Sequence, residues 1–297
     1  MSADRSAPAR AGAGLGRFLE IQTLGLNLSF ALAFLLLAAG GWPTLRTTVL
    51  VVIAFVAARN SGHSFNRWAD RRLDAANPRT QGRALVTGQF SPSFALGLAA
   101  GNGAVLVVAA YLLNPLAFVL APVALALVFG YSYTKRVTSF TTAFLGLVQA
   151  VTPAAIYIAV RGELPLVALV AVGALLAWGT AFETVHSLGD LASDRALGLF
   201  SIPVRVGVRT SVRLVAALHA SALLLLATFG VLLDLPLPYF LALAAMGLLA
   251  AATDSTLAAR PTDARVPFER HFALGLLFLA GVVVSLFVPS AAVFRFG

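Results

Sequence analysis

The stretch LPLVALVAVGALLAWGTAFETVH, residues 164–186, carries no charged residue before Glu183. A helix that crosses the hydrocarbon core of a bilayer needs about 20 mostly apolar residues, and this stretch supplies them. Glu183 and His186 follow directly, so ionisable side chains begin where the apolar run ends. We therefore predict a membrane-spanning helix that carries polar groups to one membrane face, where such groups usually line a cavity.

The composition extends this interpretation to all 297 residues. Hydrophobic residues make up 59% of the chain and charged residues 11%, whereas about a quarter of an average soluble domain is charged. We therefore predict an all-α, polytopic membrane protein with nine transmembrane helices. The nine apolar stretches are residues 20–41, 45–66, 93–113, 115–133, 139–160, 164–187, 211–232, 236–256 and 271–290. The boundary between the third and the fourth depends on Asn114 and Pro115 alone.

The amino-terminal residues 1–16, MSADRSAPARAGAGLG, are small, polar and basic. They predict a disordered cytoplasmic tail ahead of a single transmembrane domain at residues 17–297. The apolar run that follows has no clear cleavage site, which favours a retained first helix over a signal peptide. The chain has no cysteine, which excludes disulfide and thiolate chemistry. Its net charge of +9 suits anionic lipid, an anionic substrate or nucleic acid, and the long apolar runs argue against nucleic acid.

The distribution of positive charge predicts the orientation. With nine helices, seventeen of the 21 Arg and Lys residues fall on the side of the amino terminus and three on the other. Because positive residues accumulate on the cytoplasmic side, we expect a multi-pass protein of the cell (inner) membrane with a cytoplasmic amino terminus and an external carboxyl terminus. The longest cytoplasmic connections, residues 67–92 and 188–210, follow helices that are four apart. A duplicated four-helix unit plus one helix is therefore a further hypothesis.

Two polar stripes end on this cytoplasmic side. In FNRWADRRLD, residues 65–74, three oxygen-bearing side chains are four residues apart and share one helix face. A second set in ETVHSLGDLASDRALG, residues 183–198, has spacings of three, four and four. The stripes consist of Asn66, Asp70 and Asp74, and of Glu183, His186, Asp190 and Asp194.

The chemistry of these stripes favours a metal site. Four neighbouring aspartates repel one another unless a cation lies between them. Carboxylate oxygens suit Mg²⁺, which often bridges protein carboxylates and substrate phosphates. The alternative is that the acids pair with nearby arginines and serve as interfacial anchors.

Cations that suit a phosphate ligand follow the same spacing. NPRTQGRAL, residues 77–85, places Arg79 and Arg83 four apart, and YSYTKR, residues 131–136, does the same for Tyr131 and Lys135. Arginine forks and lysine ammonium groups are the usual phosphate partners, and Lys135 is the only lysine in the chain. The alternative is that each of these cations only reflects the accumulation of positive residues on the cytoplasmic side of a membrane protein.

The other arginines of this region are interpreted differently. Arg59 lies inside the second predicted helix, two turns before Asn66, and a buried guanidinium needs an anion. That anion is either an acid of another helix or a carboxylate on a substrate. We assign Arg67, Arg71 and Arg72 to topology, since they fall mostly on other faces, and leave them out of the site.

These motifs together resemble the UbiA-type family of intramembrane prenyltransferases over about residues 20–290. The matching patterns are N-x-x-x-D-x-x-x-D at 66–74, Y-x-x-x-K at 131–135 and D-x-x-x-D at 190–194. The resemblance implies helices bundled around a central cavity, an isoprenyl diphosphate donor, and two Mg²⁺ ions bridged by the diphosphate. It implies metal ligands at Asn66, Asp70, Asp74, Asp190 and Asp194 and catalytic roles for the four aspartates and Lys135. The expected substrate-binding residues are Asn66, Arg79, Arg83, Tyr131, Arg59 and His186.

The flanking sequences indicate a branch of the family. FSIPVR, residues 200–205, and the NPRT loop are similar to 4-hydroxybenzoate polyprenyltransferases and to relatives that act on a naphthoate in menaquinone synthesis. The resemblance thus predicts transfer of a polyprenyl group to a 4-hydroxybenzoate-like aromatic acid in quinone biosynthesis, ubiquinone included, within the lipid bilayer. Naphthoate prenylation and an intramembrane terpene cyclase remain enzymatic alternatives. A transporter, or an inactive lipid-binding protein, is the non-enzymatic alternative.

The chain departs from the family pattern in two places. Where the family has an Asp and a Tyr-Ala pair upstream in the last motif, this chain has Glu183, His186 and Ser187. Glu183 keeps the charge on a longer arm, and His186 either changes the choice of acceptor or is a buried histidine. RALVTG, residues 83–88, lacks the proline expected before Thr-Gly. This departure affects the conformation expected for that loop and not the predicted chemistry.

Overall fold

The computed structural model describes residues 14–16, 18–20, 24–263 and 265–287. Residues 1–13 of the predicted tail and the carboxyl terminus after residue 287 lie outside them. The first six helices of the described part are α1 (Leu24–Ala39), α2 (Leu45–Ala76), α3 (Pro92–Leu113), α4 (Pro115–Thr134), α5 (Thr141–Arg161) and α6 (Leu166–Gly189). They are followed by two short helices, α7 (Leu191–Ala196) and α8 (Ile202–Val206), and by α9 (Val208–Leu232), α10 (Leu237–Ala259) and α11 (Arg265–Phe287).

The described helices are those of a multi-pass membrane protein. Eight of them, α2 to α6 and α9 to α11, are long and apolar enough to cross a membrane. Helix α1 has 16 residues and is shorter, but it is also apolar. Each of the nine predicted stretches falls on one of these helices, so the predicted all-helical polytopic fold is confirmed.

Helix α2 is longer than its predicted apolar stretch. It begins after Thr44, whose hydroxyl accepts a hydrogen bond from Thr47 N, and it ends at Asn77, whose N–H donates to Asp74 O. The spacing of Asn66, Asp70 and Asp74 predicts this continuation of the helix beyond the apolar stretch, and the structure confirms it. Apolar content marks only the part of the helix inside the hydrocarbon, and the polar continuation carries the first acidic motif on unbroken helix.

A single asparagine separates α3 from α4, as the sequence predicts. Asn114 has extended backbone angles, and its side-chain oxygen accepts from Ala117 N at 2.9 Å as the N-cap of α4. Its amide nitrogen donates to Ile158 O at 2.8 Å on α5. Pro115 then occupies the first turn of α4, where its missing N–H costs no helical bond.

The second acidic stripe does not lie on one continuous helix. Helix α6 ends at Gly189, and Asp190 is the junction with the short helix α7. The chain nevertheless stays close to helical, because Asp190 N donates to His186 O at 3.3 Å and Asp194 N donates to Asp190 O at 2.9 Å. The predicted uninterrupted stripe is corrected to two segments, and the break falls at a glycine, which weakens a helix.

The buried core is centred on α1. The ring of Phe34 lies 5.9 Å from that of Phe229 on α9 and 5.5 Å from that of Phe278 on α11. Phe30 lies 5.9 Å from Trp178 on α6. These edge-on and tilted aromatic contacts favour close packing. They hold α6, α9 and α11 around α1, and Phe30 and Trp178 also border a cavity.

Helices α5 and α6 meet at two glycines. A Cβ atom built on Gly146 would lie 2.7 Å from Thr180 N and 3.1 Å from Leu176 O, both backbone atoms of α6. A Cβ atom on Gly179 would lie 3.0 Å from the Cα atom of Gly146. Small residues thus let the two backbones approach closely, as at other membrane helix interfaces.

Gly146→Leu should therefore lower the thermal stability of the detergent-purified protein. The added side chain meets backbone that cannot rotate away, and overpacking of this kind costs about 1–3 kcal/mol or more. Gly101→Leu is the matched control, because Gly101 is exposed on α3 and has no neighbour within 4 Å. Equal melting temperatures of the two variants, measured by tryptophan fluorescence, would contradict the close contact.

Candidate active site

A cavity of about 530 Å³ lies between helices α1 to α6. One part of its wall is apolar and includes Val51, Phe55, Leu113, Val148 and Ile156. The other part is formed by the polar ends of α2, α4 and α6 and by the loops that follow them. Every site residue predicted from the sequence lines this cavity: Arg59, Asn66, Asp70, Asp74, Arg79, Arg83, Tyr131, Lys135, His186, Asp190 and Asp194.

Asp70 is held by two cations from the end of α4. Lys135 Nζ lies 2.6 Å from Asp70 Oδ2, and Arg136 Nη2 lies 3.2 Å from Oδ1. Asn66, one turn earlier on α2, donates its amide N–H to Asp70 Oδ2 at 2.9 Å. Asp70 is 2% exposed. Since a carboxylate this buried requires compensation, these cations stabilise its ionised form within the wall.

The remaining acids of the two motifs are bound by the loop after α2. Arg83 Nη1 lies 2.6 Å from Asp74 Oδ1. Arg79 crosses to the other motif and donates from Nε and Nη2 to the two oxygens of Asp190, each at 2.6 Å. This fork is the bidentate geometry that arginine favours with carboxylates. The NPRTQGRAL loop therefore connects the first acidic motif to the second.

Asp194 on α7 lies close to another carboxylate, that of Asp190. Burial and the neighbouring Asp190 carboxylate raise the pKa of Asp194 to about 6. Like charges at short range have this effect on a carboxyl group. The two carboxylates thus form a site where an additional cation would be stabilised.

The carboxylates do not converge on one point. Among the described residues, no three His, Asp or Glu side chains form a group that could hold a metal ion. Arginine and lysine side chains occupy the spaces between the acids instead. The ion pairs are those expected of interfacial anchors, but they line a cavity and do not face lipid, so a ligand in the cavity can reach both partners.

Arg59 binds backbone of the amino-terminal segment, which we define as residues 14–16 and 18–20. Its Nη1 donates to Leu19 O at 2.8 Å and its Nη2 to Glu20 O at 2.9 Å. The Glu20 carboxylate forms an ion pair with Arg67 and lies 3.8 Å from His63 Nε2. The segment also inserts the Phe18 ring beside Phe90, at 5.5 Å. It therefore covers one side of the cavity.

Arg67 belongs to this cavity and not to the membrane surface. It is 5% exposed and lines the wall, which contradicts its assignment to topology. The sequence does contain a signal for it. Arg59, His63 and Arg67 are four apart and form a basic stripe beside the acidic stripe of the same helix. Glu20, by contrast, lies outside every motif, and only the tertiary fold brings it here.

The two positions that depart from the family pattern also face the cavity. Glu183 accepts a hydrogen bond from Gln149 Nε2 of α5 at 3.1 Å. His186 lies one turn later on α6, with its ring 5.8 Å from that of Phe182. Both line the wall and are half-buried. The substitutions therefore change the cavity surface and not the helix packing.

A membrane-spanning helical bundle whose cavity joins an apolar wall to two aspartate motifs is the architecture of an intramembrane prenyltransferase. The sequence profile of the UbiA prenyltransferase family matches residues 27–275. The chain belongs to this family and is a transferase.

Known relatives agree with this assignment. The chain is 30% identical to a 4-hydroxybenzoate octaprenyltransferase of Thiobacillus denitrificans over 87% of its length and 88% of that protein. Its fold is similar to the apo structure of a UbiA homolog from Aeropyrum pernix, with a TM-score of 0.81, 29% identity, and coverage of 89% of this chain and 98% of that one. It is also similar to a UbiA homolog from Archaeoglobus fulgidus bound to GPP and Mg²⁺, with a TM-score of 0.70, 18% identity, and coverage of 91% and 99%.

Glu20→Gln should loosen the amino-terminal segment. Burial raises the pKa of the Glu20 carboxyl, but Arg67 and His63 lower it, and the net pKa lies below the ordinary value. Loss of this charge removes the ion pair to Arg67. A loss of about 1.4 kcal/mol corresponds to tenfold faster local opening, so amide hydrogen exchange at residues 14–20 should accelerate by roughly that factor.

The control is Glu163→Gln, which removes an exposed acid between α5 and α6. It should leave exchange at residues 14–20 unchanged. Identical exchange in wild type and Glu20→Gln would show that the ion pair does not hold the segment.

Proposed function

We propose that the protein catalyses Mg²⁺-dependent transfer of a polyprenyl group from an isoprenyl diphosphate to a 4-hydroxybenzoate-like aromatic acid in quinone biosynthesis. The observation that carries the proposal is the composition of the cavity, which joins a charged end bearing both aspartate motifs to an apolar wall. A polyprenyl diphosphate has the same division between anionic head and hydrocarbon tail. Family membership and the relatives named 4-hydroxybenzoate octaprenyltransferase support this choice of reaction.

The donor set suits Mg²⁺. Asn66, Asp70, Asp74, Asp190 and Asp194 would hold two Mg²⁺ ions, since amide and carboxylate oxygens are hard ligands. The effect of Asp190 on Asp194 supports this, because a cation between them would relieve the repulsion. When bound, the ions neutralise charge on the leaving diphosphate.

Three basic residues of the site would bind the diphosphate in addition to the carboxylates that they contact. Arg79, Arg83 and Lys135 each hold a carboxylate, and each lies on the cavity wall. A diphosphate in the cavity would offer these cations additional anionic oxygens, and Tyr131 would add a hydroxyl donor. Negative charge grows on the diphosphate as the allylic C–O bond breaks, and fixed cations at that place lower the barrier.

The basic stripe of α2 would orient the acceptor. Arg59 donates to two backbone carbonyls, and a carboxylate is a stronger acceptor for a guanidinium than a carbonyl is. His186, on the opposite wall, would contact the ring of the acceptor. The electron-rich ring carbon then attacks the allylic cation, while the apolar tail lies between helices.

The charged end of the cavity would face the cytoplasm. The proposal rests on the excess of Arg and Lys on the side of the amino terminus and on the rule that such residues stay inside. The aromatic acid would then enter from the cytoplasm, the diphosphate head would lie at the cytoplasmic side, and the prenyl tail and the prenylated product would remain in the bilayer.

Asp70→Asn and Asp190→Asn should each reduce prenyl transfer at least 100-fold, because each removes a charged ligand from the site that stabilises the leaving group. Purified protein with Mg²⁺ and geranyl diphosphate would be offered 4-hydroxybenzoate, a hydroxynaphthoate or no acceptor, and the products measured by mass spectrometry. Asp234→Asn, an exposed acid between α9 and α10, should leave the rate unchanged. If the hydroxynaphthoate is prenylated and 4-hydroxybenzoate is not, the protein is a naphthoate prenyltransferase. If a cyclised hydrocarbon forms without any acceptor, the protein is a terpene cyclase.

Arg59→Gln tests the acceptor site separately. Loss of a hydrogen bond to a charged group costs roughly 1.5–3 kcal/mol, so KM for 4-hydroxybenzoate should rise about 10- to 100-fold. The KM for geranyl diphosphate should stay near its wild-type value. A neutral phenol lacking the carboxylate provides the internal comparison. An equal effect of Arg59→Gln on both acceptors would exclude a direct contact with the carboxylate.

A further inference from the structure

Glu183 lies deeper in the cavity than the two acidic motifs. It is seven residues before Asp190, or roughly 10 Å along the helix. Its side chain lines the cavity, and it stands at the point of the α6 sequence where the apolar run ends. A prenyl diphosphate whose head lay at the aspartate motifs and whose tail lay along the apolar wall would bring its reacting carbon, and the acceptor ring, towards this position.

The position of the Glu183 carboxylate is fixed by the contact between α5 and α6. Gln149 Nε2 donates to Glu183 Oε1 at 3.1 Å. A Cβ atom on Gly179 would lie 3.2 Å from Gln149 Oε1, so the glycine leaves just enough room for this amide. Because an ionised carboxylate has about four acceptor positions and Gln149 uses one, the Glu183 carboxylate can still accept a proton from the cavity.

The partner of Glu183 distinguishes it from three of the four motif aspartates. Asp70, Asp74 and Asp190 each lie within 3.2 Å of an arginine or lysine. In the part of the chain that the structure describes, Glu183 forms no ion pair, and its hydrogen-bond partner is a neutral amide. A proton on Asp70, Asp74 or Asp190 would displace a cation, whereas a proton on Glu183 displaces nothing.

We propose that Glu183 is the base that removes the ring proton of the acceptor. This inference rests on the proposed function, because only an aromatic acceptor has such a proton to lose. The allylic C–O bond breaks and its electron pair leaves with the diphosphate. A π electron pair of the ring forms the new C–C bond, after which the ring C–H bond breaks and its pair restores the aromatic ring. The proton passes to a carboxylate oxygen of Glu183.

In this arrangement Gln149 is a positioning residue. Its amide donates to the Glu183 carboxylate and thereby opposes rotation of Glu183 towards the charged end. Without it, the carboxylate would be free to turn towards the cations there.

Glu183→Gln tests the proposal, because it keeps the size of the side chain and removes its capacity to accept a proton. Formation of prenylated 4-hydroxybenzoate should fall at least 100-fold, the usual contribution of a general base. Breaking of the C–O bond should continue, measured as exchange of bridging ¹⁸O of geranyl diphosphate into non-bridging positions. A primary isotope effect with ring-deuterated 4-hydroxybenzoate should appear in the residual rate of the variant and be near one in wild type.

Two variants complete the experiment. Glu163→Gln, at an exposed position, should match wild type in every measurement. Glu183→Asp retains the carboxylate on a shorter arm and should recover part of the lost rate. Binding of geranyl diphosphate by calorimetry shows that each variant is folded.

Each outcome separates the two proposals. Wild-type turnover by Glu183→Gln, or loss of isotope exchange together with product, would overturn the role of Glu183 alone. If wild type itself prenylates no aromatic acid, the proposed function fails, and the base fails with it.

Discussion

An ionised carboxylate inside a bilayer-spanning bundle needs a positive charge or a hydrogen-bond donor against it, because the surrounding medium solvates it poorly. Three of the motif aspartates satisfy this condition with Lys135, Arg83 and Arg79, in contacts of 2.6 Å. The rest of the site depends on it. The polar extension of α2, the loop from Asn77 to Arg83 and the end of α4 all serve to place cations on acids.

The same condition explains how a buried charged site can accept a charged ligand. The cavity has nearly balanced acids and bases before anything binds, so a diphosphate that arrives with Mg²⁺ adds charges of both signs and keeps the balance. Glu183 and the amino-terminal segment lie at the margins of this balanced region. There the Glu183 carboxylate accepts a hydrogen bond from a neutral amide, and Arg59 donates to backbone carbonyls of the amino-terminal segment. Those margins are where proton transfer and the choice of acceptor would be located.

Helix periodicity and residue chemistry were sufficient to predict much of the helix arrangement and most of the residues that line the cavity. The four-residue spacing of Asn66, Asp70 and Asp74 predicted one helix face, and Asn114 with Pro115 predicted the break between α3 and α4. The aspartates, arginines and Lys135 singled out from the sequence all line one cavity. Apolar content marked α2 only as far as residue 66, because hydropathy reports the membrane and not the hydrogen-bonded helix.

What the sequence could not supply is contact between distant segments. Arg67 resembled a topology-determining arginine because its partner, Glu20, is 47 residues away and in no motif. The crossing of Arg79 to Asp190 spans 111 residues. The pairing of Gln149 with Glu183 depends on the close approach of α5 and α6 at Gly146 and Gly179. Such contacts follow from packing, for which local spacing carries no information.

Lys135 has one more consequence. Because it is the only lysine in the chain, amine-selective acylation of side chains is confined to the substrate cavity, in a protein of 297 residues. Its Nζ is in contact with Asp70 and its side chain is about one third exposed. A reporter group attached there would sense the cavity directly, and a bound anion would shield the amine from the reagent. A chain that uses arginine for every other cation thus carries a single chemical handle, and that handle lies in its candidate active site.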